Sequence, residues 1–458
     1  MCHYPYIDIE AFEKGIIKSW TNGDKCKFCE EDDFLIVWDG SRSGLTGKAI
    51  SGVLGSTLTR IKFQGIYNDY AYYFLKSKYM EINTRARGTG TPHVDPELLW
   101  NYNFPLPPLS EQKRIVAKIE ELFSELDAGV ESLKKAKEQL GVYRQSLLKQ
   151  AFEGKLTKKW REEHPELLEP AEQLLQRIHK ERESRYNQQL SDWQQAVKQW
   201  EANGKTGKRP GKPKISIGVL LKEYDSNSPF NHEYPREWIF VELNYLLIQK
   251  PSNGRSVKDK KGGFRVLRLT ALKNGSIDLS EHKEGDWTFE DAKPFLVYKG
   301  DFLISRGNGS KKLVGRGGVV SETINIAYPD TMIRLSLDPI IIEPKYFSLL
   351  WNSDCFRQQI ERSARTTAGI YKINQGLICS YMFPLCGIPE QQEIVRILET
   401  QFEAIERNEK EIESALQKAE ALRQSILKKA FSGKLVPQDP NDEPASVLLE
   451  RIRKERSA

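Results

Sequence analysis

At 458 residues, with 69 Lys+Arg against 63 Asp+Glu, the chain is too long for one ordinary domain and should divide into two to four units. Hydrophobic residues make up 39% and charged residues 29%, a balance that fits long exposed helices joining compact domains, while 10% aromatics argue against wholesale disorder. No apolar run reaches the ~18 residues of a membrane span, and the first residues lack a basic stretch followed by an apolar one, so neither a transmembrane helix nor a secretory signal is expected.

The net charge of +6 permits nucleic-acid binding without requiring it, so any basic footprint must be local. The six cysteines are spread thinly and read as reduced thiols of a cytoplasmic protein. Cys26-x-x-Cys29 has a zinc-like spacing, but no second pair follows, and only Cys2 and His3 could complete a ligand set. Two ordinary thiols are the expectation, with no metal and no cofactor.

In chain order, residues 1–103 carry the strand-like run DFLIVWDGS, the helical AYYFLKSKYMEIN and the glycine-containing RGTGTPHVDPELLW. Residues 104–184 open on FPLPPLSEQKRIV and continue as a long helix and tail. Its apolar positions are Ile115, Ile119, Leu122, Leu126, Val130, Leu133, Ala136, Leu140, Tyr143 and Leu147, in steps of three and four. Residues 185–233 form a linker whose first part could continue a helix, and the stretch 204–214 is a Gly/Pro/Lys-rich tether. Residues 234–382 mix β-like runs (FRVLRLTAL, DFLISR, GGVVS, MIRLSL) with one helical segment, PKYFSLLWNSDCFRQQIER, and predict an α+β domain. Residues 383–458 repeat the long helix and tail, with Ile394, Leu398, Ile405, Ile412, Ala415, Ala419, Leu422 and Ile426 on the matching stripe and Gln401 and Glu409 interrupting it.

The repeat is explicit. Residues 104–156 align without a gap on 383–435, and 20 of these 53 pairs are identical. Ser110 and Pro389 stand at the two helix starts, where a cap or first-turn proline fits, and Gly154 and Gly433 stand just past the ends. Each helix needs a partner for its stripe, and the other copy is the nearest one. The expected arrangement is an antiparallel coiled coil between two α+β domains. Asp33 matches Asp301, yet the first half reaches it about 35 residues sooner. The first domain is therefore expected to lack opening strands and to leave backbone groups unpaired.

Residues for DNA contact are sought as Arg/Lys with Ser/Thr/Asn in glycine-rich loops. The first half offers Ser41, Arg42 and Ser43 after its DFLI strand, and Arg85, Arg87 and Thr89 after its helix. The second offers Ser305, Arg306, Asn308, Lys311, Lys312 and Arg316, then Arg362, Arg365, Thr366, Thr367, Tyr371 and Lys372. The clusters fall at matched places in the repeat.

Catalytic patterns are poor. Asn227-Ser228-Pro229-Phe230 lacks the proline pair of an adenine-methylating loop, and Gly47-Lys48-Ala49 fails as a phosphate loop. Asp330, Glu343 and Lys345 match a Mg²⁺-dependent nuclease pattern, a rival reading, although acid-x-Lys is common at this charge density. A coiled-coil scaffold without DNA contact is the other rival.

The signature Phe-Pro-Leu-Pro-Pro-Leu-x-Glu-Gln-x-x-Ile-Val at each helix start resembles the specificity (S) subunit of type I restriction-modification systems. So do Arg-Gln-Ser-Leu/Ile-Leu-Lys and Ala-Phe-x-Gly-Lys-Leu at each helix end, and Tyr234-Pro235-Arg236-Glu237-Trp238 at the opening of the second half. The resemblance covers the whole chain as two tandem halves; the second signature departs from it at Cys386-Gly387-Ile388-Pro389. It implies two target-recognition domains that each read one half of a split sequence in double-stranded DNA. It also implies paired helices that set the spacing and dock two methyltransferase subunits, with restriction subunits joining through the complex. The chain itself would be non-catalytic.

Overall fold

The computed structural model describes residues 4–31, 33–88, 90–213, 234–273, 275–367 and 369–457. The chain forms two compact units, residues 1–137 with 409–458 and residues 138–408. Neither is a contiguous half, because each takes one globular part and a stretch of both long helices.

In the first unit the DFLI run becomes the strand Phe34–Val37, paired antiparallel with Thr46–Lys48 and with Leu58–Ile61. All four strand residues are buried. Side chains alternate across a strand, so Leu35 and Val37 enter one cluster with Ile7, Ala11 and Leu58. Phe34 and Ile36 enter another with Phe74, Leu75 and Ile82 from the helix Asn68–Thr84. A run apolar at every position is thus what a strand covered on both faces requires. A second sheet places Tyr4–Ile7 between Trp20–Thr21 and Gly52–Leu54, and the latter pairs with Phe28–Cys29.

The second unit repeats the plan on a larger scale. Asp301–Ser305 pairs antiparallel with Gly317–Val319 and Met332–Ser336, inside a six-stranded sheet. Phe302 and Ile304 pack with Phe347 and Trp351, while Leu303 packs with Leu267 and Val297. The expected strand FRVLRLTAL stops at Leu267 and turns into a short 3-10 helix, Leu269–Ala271. The expected single helix is two, Pro344–Trp351 and Asp354–Ser363, divided where the Ser353 hydroxyl donates back to the Leu350 carbonyl.

The long helices are Leu109–Phe152 and Ile388–Phe431, 44 residues each. Both begin one residue before the expected start, so Ser110 is not a cap; its hydroxyl donates to Asp442 at 2.5 Å. Both end at a left-handed glycine, Gly154 (φ 70°) and Gly433 (φ 69°), as the sequence predicts. Within the first unit Asp127 meets Arg423 and Lys137 meets Glu413 at 2.9 Å, so the helix stretches there run antiparallel. Within the second unit the Tyr143 hydroxyl donates to Gln401 Oε1 at 3.4 Å.

The expected stripe holds for Ile115, Ile119, Leu147, Ile394, Leu398, Ile405 and Ile426, all buried, and Leu126 is half-buried. It fails at Tyr143 and Leu422, which are 47% and 52% exposed. The neighbouring arginines turn inward instead. Arg423 lies 4.6 Å from the Phe123 ring in the first unit, and Arg144 lies 5.1 Å from the Phe402 ring in the second. A straight α-helix drifts by about 20° per heptad from a fixed seven-residue repeat, so after several turns the inward position moves on by one residue. A planar guanidinium stacks well on the ring face it then meets.

The signature glutamine has the same task in both units. Gln112 accepts from the Tyr67 backbone N–H (2.9 Å) and donates to the Pro107 carbonyl (2.8 Å). Gln391 accepts from the Glu343 N–H (2.8 Å) and donates to the Cys386 and Ile341 carbonyls. Both are fully buried, and each ties a long helix to the start of a shorter one, Asn68–Thr84 or Pro344–Trp351.

The tail differs from the expected boundary at residues 184/185. The helix Ala171–Ala202 runs straight through it, because residues 185–202 contain many helix formers and neither Gly nor Pro. Residues 203–213 carry no regular element, and 214–233, with the rest of the tether and Asn227–Phe230, lie outside the described residues. Among the described residues no helix is long and apolar enough to cross a membrane.

Candidate nucleic-acid interface

The turn after the central strand is built alike in both units. Gly315 (φ 67°) donates its N–H to the Ser305 carbonyl at 2.9 Å, and an added Cβ would lie 2.8 Å from Ile360. Gly44 (φ 91°) donates to the Val37 carbonyl at 2.8 Å, and its Cβ would lie 2.5 Å from Ile82. Only glycine meets both demands, left-handed backbone and contact with a helix isoleucine.

In the second unit this turn brings the two basic clusters together. Gly307–Asn308, Ile370–Lys372 and Arg365–Thr367 form a three-stranded sheet, with Gly307 opposite Lys372 and Lys372 opposite Arg365. Tyr371 lies opposite both Asn308 and Thr366. Lys311, Lys312 and Arg316 are exposed on the adjoining loop, Arg306 is exposed beside it, and Arg362 is exposed at the end of its helix. Among the described residues no carboxylate forms an ion pair with any of these seven Arg and Lys side chains.

In the first unit the same three places carry Asp39, His93 and Arg87, joined by isolated bridges from Asp39 to His93 and from His93 to Arg87. Here the charges are closed off. His93 Nδ1 lies 2.5 Å from Asp39 Oδ1. Arg87 pairs with Asp95 (2.8 Å) and Glu97 (2.9 Å), and these neighbours raise its affinity for its proton, the Glu97 hydrogen bond most of all. Arg42 pairs with Glu13, and Arg85 with Glu81 at 3.5 Å.

Ser43 and Ser305 are corrections to the sequence expectation. They are 0% and 2% exposed, and Ser305 spends its hydroxyl on the Gly307 carbonyl, so both shape loops rather than face a ligand. Ser41 is exposed. Thr89 lies outside the described residues, and the Thr367 side chain is not described. Sequence reading missed Arg357, which is 8% exposed and donates to the Val314 carbonyl at 2.6 Å and the Lys312 carbonyl at 3.3 Å. Burial pushes its guanidinium down to about 10, still charged at neutral pH. It braces the basic loop from beneath. An arginine on the inner face of an amphipathic helix gives no sequence signal that separates it from a surface arginine.

The rival chemistries fare worse. Asp330 precedes the strand Met332–Ser336 and Glu343 follows it. Among the described residues the pair is not part of any group of three or more His, Cys, Asp or Glu placed to hold an ion. Glu343 caps the helix Pro344–Trp351, and Lys345 pairs with Glu399. Cys29 is buried and its thiol contacts the Ile50 and Gly52 carbonyls, whereas Cys26 is exposed; Cys2 and His3 lie outside the described residues. Among the described residues no group of three or more His, Cys, Asp or Glu is placed to hold a metal.

Comparison with known proteins now fits this geometry. The family model for the type I restriction modification DNA specificity domain matches residues 2–138. The chain is 26% identical to the EcoKI type I restriction enzyme specificity subunit of Escherichia coli K12, over 98% of this chain and 85% of that one. Along nearly its whole length the chain resembles type I restriction-modification specificity subunits. The chain is also 34% identical to the MjaVIII specificity subunit of Methanocaldococcus jannaschii, over 34% of this chain and 38% of that one. A chain from a solved structure on complex assembly and conformational transition of the type I R-M system shares the fold. Its TM-score is 0.62 at 16% identity, covering 95% of this chain and 92% of that one.

Proposed function

We propose that this chain is a specificity subunit that recognises a two-part DNA sequence for a type I restriction-modification complex and catalyses no step itself. Residues 1–103 and 234–382 are the two target-recognition domains. Residues 104–184 and 383–458 supply the paired helices, an antiparallel coiled coil that sets the spacing of the half-sites, and 185–233 link the halves. The helices dock methyltransferase subunits, two per chain by the symmetry of the repeat, and restriction subunits join through these in the cytoplasm. No cofactor is bound by this chain.

The observation that carries the reading is the convergence of two basic, carboxylate-free segments, 305–316 and 362–372, on one small exposed sheet. Such a surface attracts phosphates, and side chains such as Arg306, Asn308, Arg365 and Lys372 suit base edges or backbone. The nuclease reading has no assembled ion site, and a pure scaffold would have no use for unpaired cations at this place. The test is binding by the chain assembled with its methyltransferase subunit, to DNA with and without the target, across salt concentrations. Target-specific binding whose salt slope falls in Arg365→Ala and Lys372→Ala supports the reading. Salt-insensitive binding, or methyl transfer from S-adenosylmethionine by the chain alone, overturns it.

A further inference from the structure

The helix Ala171–Ala202 is rooted in the second unit by its first half. Leu174 and Ile178 are buried in the core of that unit. Arg182 lies 4.7 Å from the Tyr245 ring and donates to the Asn244 carbonyl at 2.9 Å, and Arg185 pairs with Asp338 at 2.6 Å. Past these anchors Leu190, Trp193, Val197 and Trp200 are half-buried, and their spacing by three and four puts them on one face of the helix. The chain's own continuation, residues 203–213, returns along that face.

The helix stops at Asn203, and the chain reverses through three left-handed residues, Gly204 (φ 73°), Lys205 (φ 61°) and Gly207 (φ 81°). The Lys205 N–H donates to the Trp200 carbonyl at 2.9 Å, so a lysine is held in a conformation that its side chain makes costly. The returning strap is then pinned twice. The Trp200 indole N–H donates to the Gly207 carbonyl at 3.2 Å, and the Trp193 indole N–H donates to the Pro210 carbonyl at 3.1 Å. Lys212 Nζ lies 5.9 Å from the centre of the Trp193 ring. A loose tether needs length and hydration, not anchors. What the anchors fix here is a row of cations. Lys205, Lys208, Arg209 and Lys212 are all exposed, and residues 203–213 contain no acid. Among the described residues none of the four forms an ion pair.

We propose that this pinned strap is a phosphate-binding arm that grips duplex DNA without regard to its sequence, outside the target read by the recognition domains. Unpaired cations on a fixed framework suit the regular phosphate backbone, and each phosphate they neutralise releases counterions. Pinning the strap in advance lowers the ordering cost of that contact. Three of the four are lysines, point charges that suit phosphates better than the paired groups of a base edge. A membrane surface fits the arm poorly. Both indoles are spent on the strap, and none of the exposed large apolar side chains falls within residues 186–213. The inference goes beyond target recognition, because it concerns DNA that carries no target.

The test is fluorescence anisotropy with the full chain assembled with its methyltransferase subunit, and a labelled duplex of arbitrary sequence without the target, at several salt concentrations. One variant carries Lys205→Gln, Lys208→Gln, Arg209→Gln and Lys212→Gln together. Its salt slope should fall by at least about two, since each lost phosphate contact removes about 0.9, while the melting curve stays as it was. A smaller fall, or no binding of the arbitrary duplex by the parent complex at low salt, overturns the proposal. So does failure of this variant to assemble with the methyltransferase subunit, which would make the strap a dock for an acidic protein face. A second variant, Trp193→Leu with Trp200→Leu, removes both pins and no charge. It should weaken binding several-fold, and unchanged affinity overturns the proposal. Arg365→Ala with Lys372→Ala keeps the inference separate from the recognition reading. That pair should lower the preference for target over arbitrary DNA, whereas the strap variant should weaken both DNAs alike. A strap effect confined to target DNA overturns the proposal and leaves the recognition reading standing.

Discussion

One register position separates the two units more sharply than any other. The first places Asp39, His93 and Arg87 side by side, and the second places Gly307, Lys372 and Arg365 there. The backbone framework is shared, down to the turn glycine packed on an isoleucine. The charge is not. In the first unit every candidate arginine is held by a carboxylate, and in the second none is, among the described residues. A common scaffold therefore leaves that row free to vary, and an arginine there is informative only once its local partners are known.

The largest effect should come from the helix stretches. Ile405 in the second unit is 2% exposed, whereas Leu126, its repeat partner in the first, is half-buried. Ile405→Asp should cost several kcal/mol and Leu126→Asp distinctly less, since the penalty follows desolvation of the new charge. Thermal unfolding of both variants measures this, and equal losses would mean the two stretches are packed alike. Next comes DNA binding by the assembled complex. Arg365→Ala or Lys372→Ala should weaken it by about 1–3 kcal/mol if a base is read, or lower the salt slope by about one if a phosphate is held. Arg87→Ala and Arg42→Ala should do less, because Asp95, Glu97 and Glu13 already occupy those guanidinium groups.

A charge graft sharpens the contrast. A Cβ on Gly307 meets Lys372 Cγ at 3.4 Å, an ordinary contact, so Gly307→Asp imports the acid of the first unit without a clash. Its salt slope should fall by about one, and Asp39→Ala should raise the contribution of the first unit. Smaller still is the arginine–aromatic stack. The stack itself is worth about 0.5–1 kcal/mol, and Phe123→Leu should cost more in chemical denaturation than Phe402→Leu, because Phe123 is also buried against Tyr73 and Phe402 is half-buried. The smallest effect is acid sensitivity of the C-terminal tail. Hydrogen bonds from Arg114 and from Ser110 hold the Asp442 carboxyl below its usual range. Its contribution is present above the unfolded carboxyl value and is lost as pH falls through the lower folded value. Hydrogen exchange near residues 439–445 should rise on acidification below about pH 4, and Asp442→Asn should remove that dependence.

The elements were legible in the sequence wherever a period repeated. The 44-residue helices, their terminal glycines and the doubly buried DFLI strands all follow from spacing and residue type. What was not legible depends on distant partners. Tyr143 and Leu422 fit the stripe by periodicity, but ring faces at Phe402 and Phe123 select the adjacent arginines. Ser43 and Ser305 look like groove-facing hydroxyls until burial is known. Arg87 and Arg365 read alike as Ala-Arg in both halves, and only folding brings Asp95 and Glu97 to one of them. That Glu343 caps a helix and Lys345 pairs with Glu399 likewise depends on the fold.

The paired glutamines carry a consequence for how such a chain changes over generations. Gln112 grips the backbone N–H of a tyrosine, and Gln391 grips the backbone N–H of a glutamate. Because the joint touches main chain and not side chain at that point, it is indifferent to the side chains that the helices Asn68–Thr84 and Pro344–Trp351 carry. Those helices can then change their sequence while the long helices and their glycine ends stay as they are. The fold behaves there as a socket.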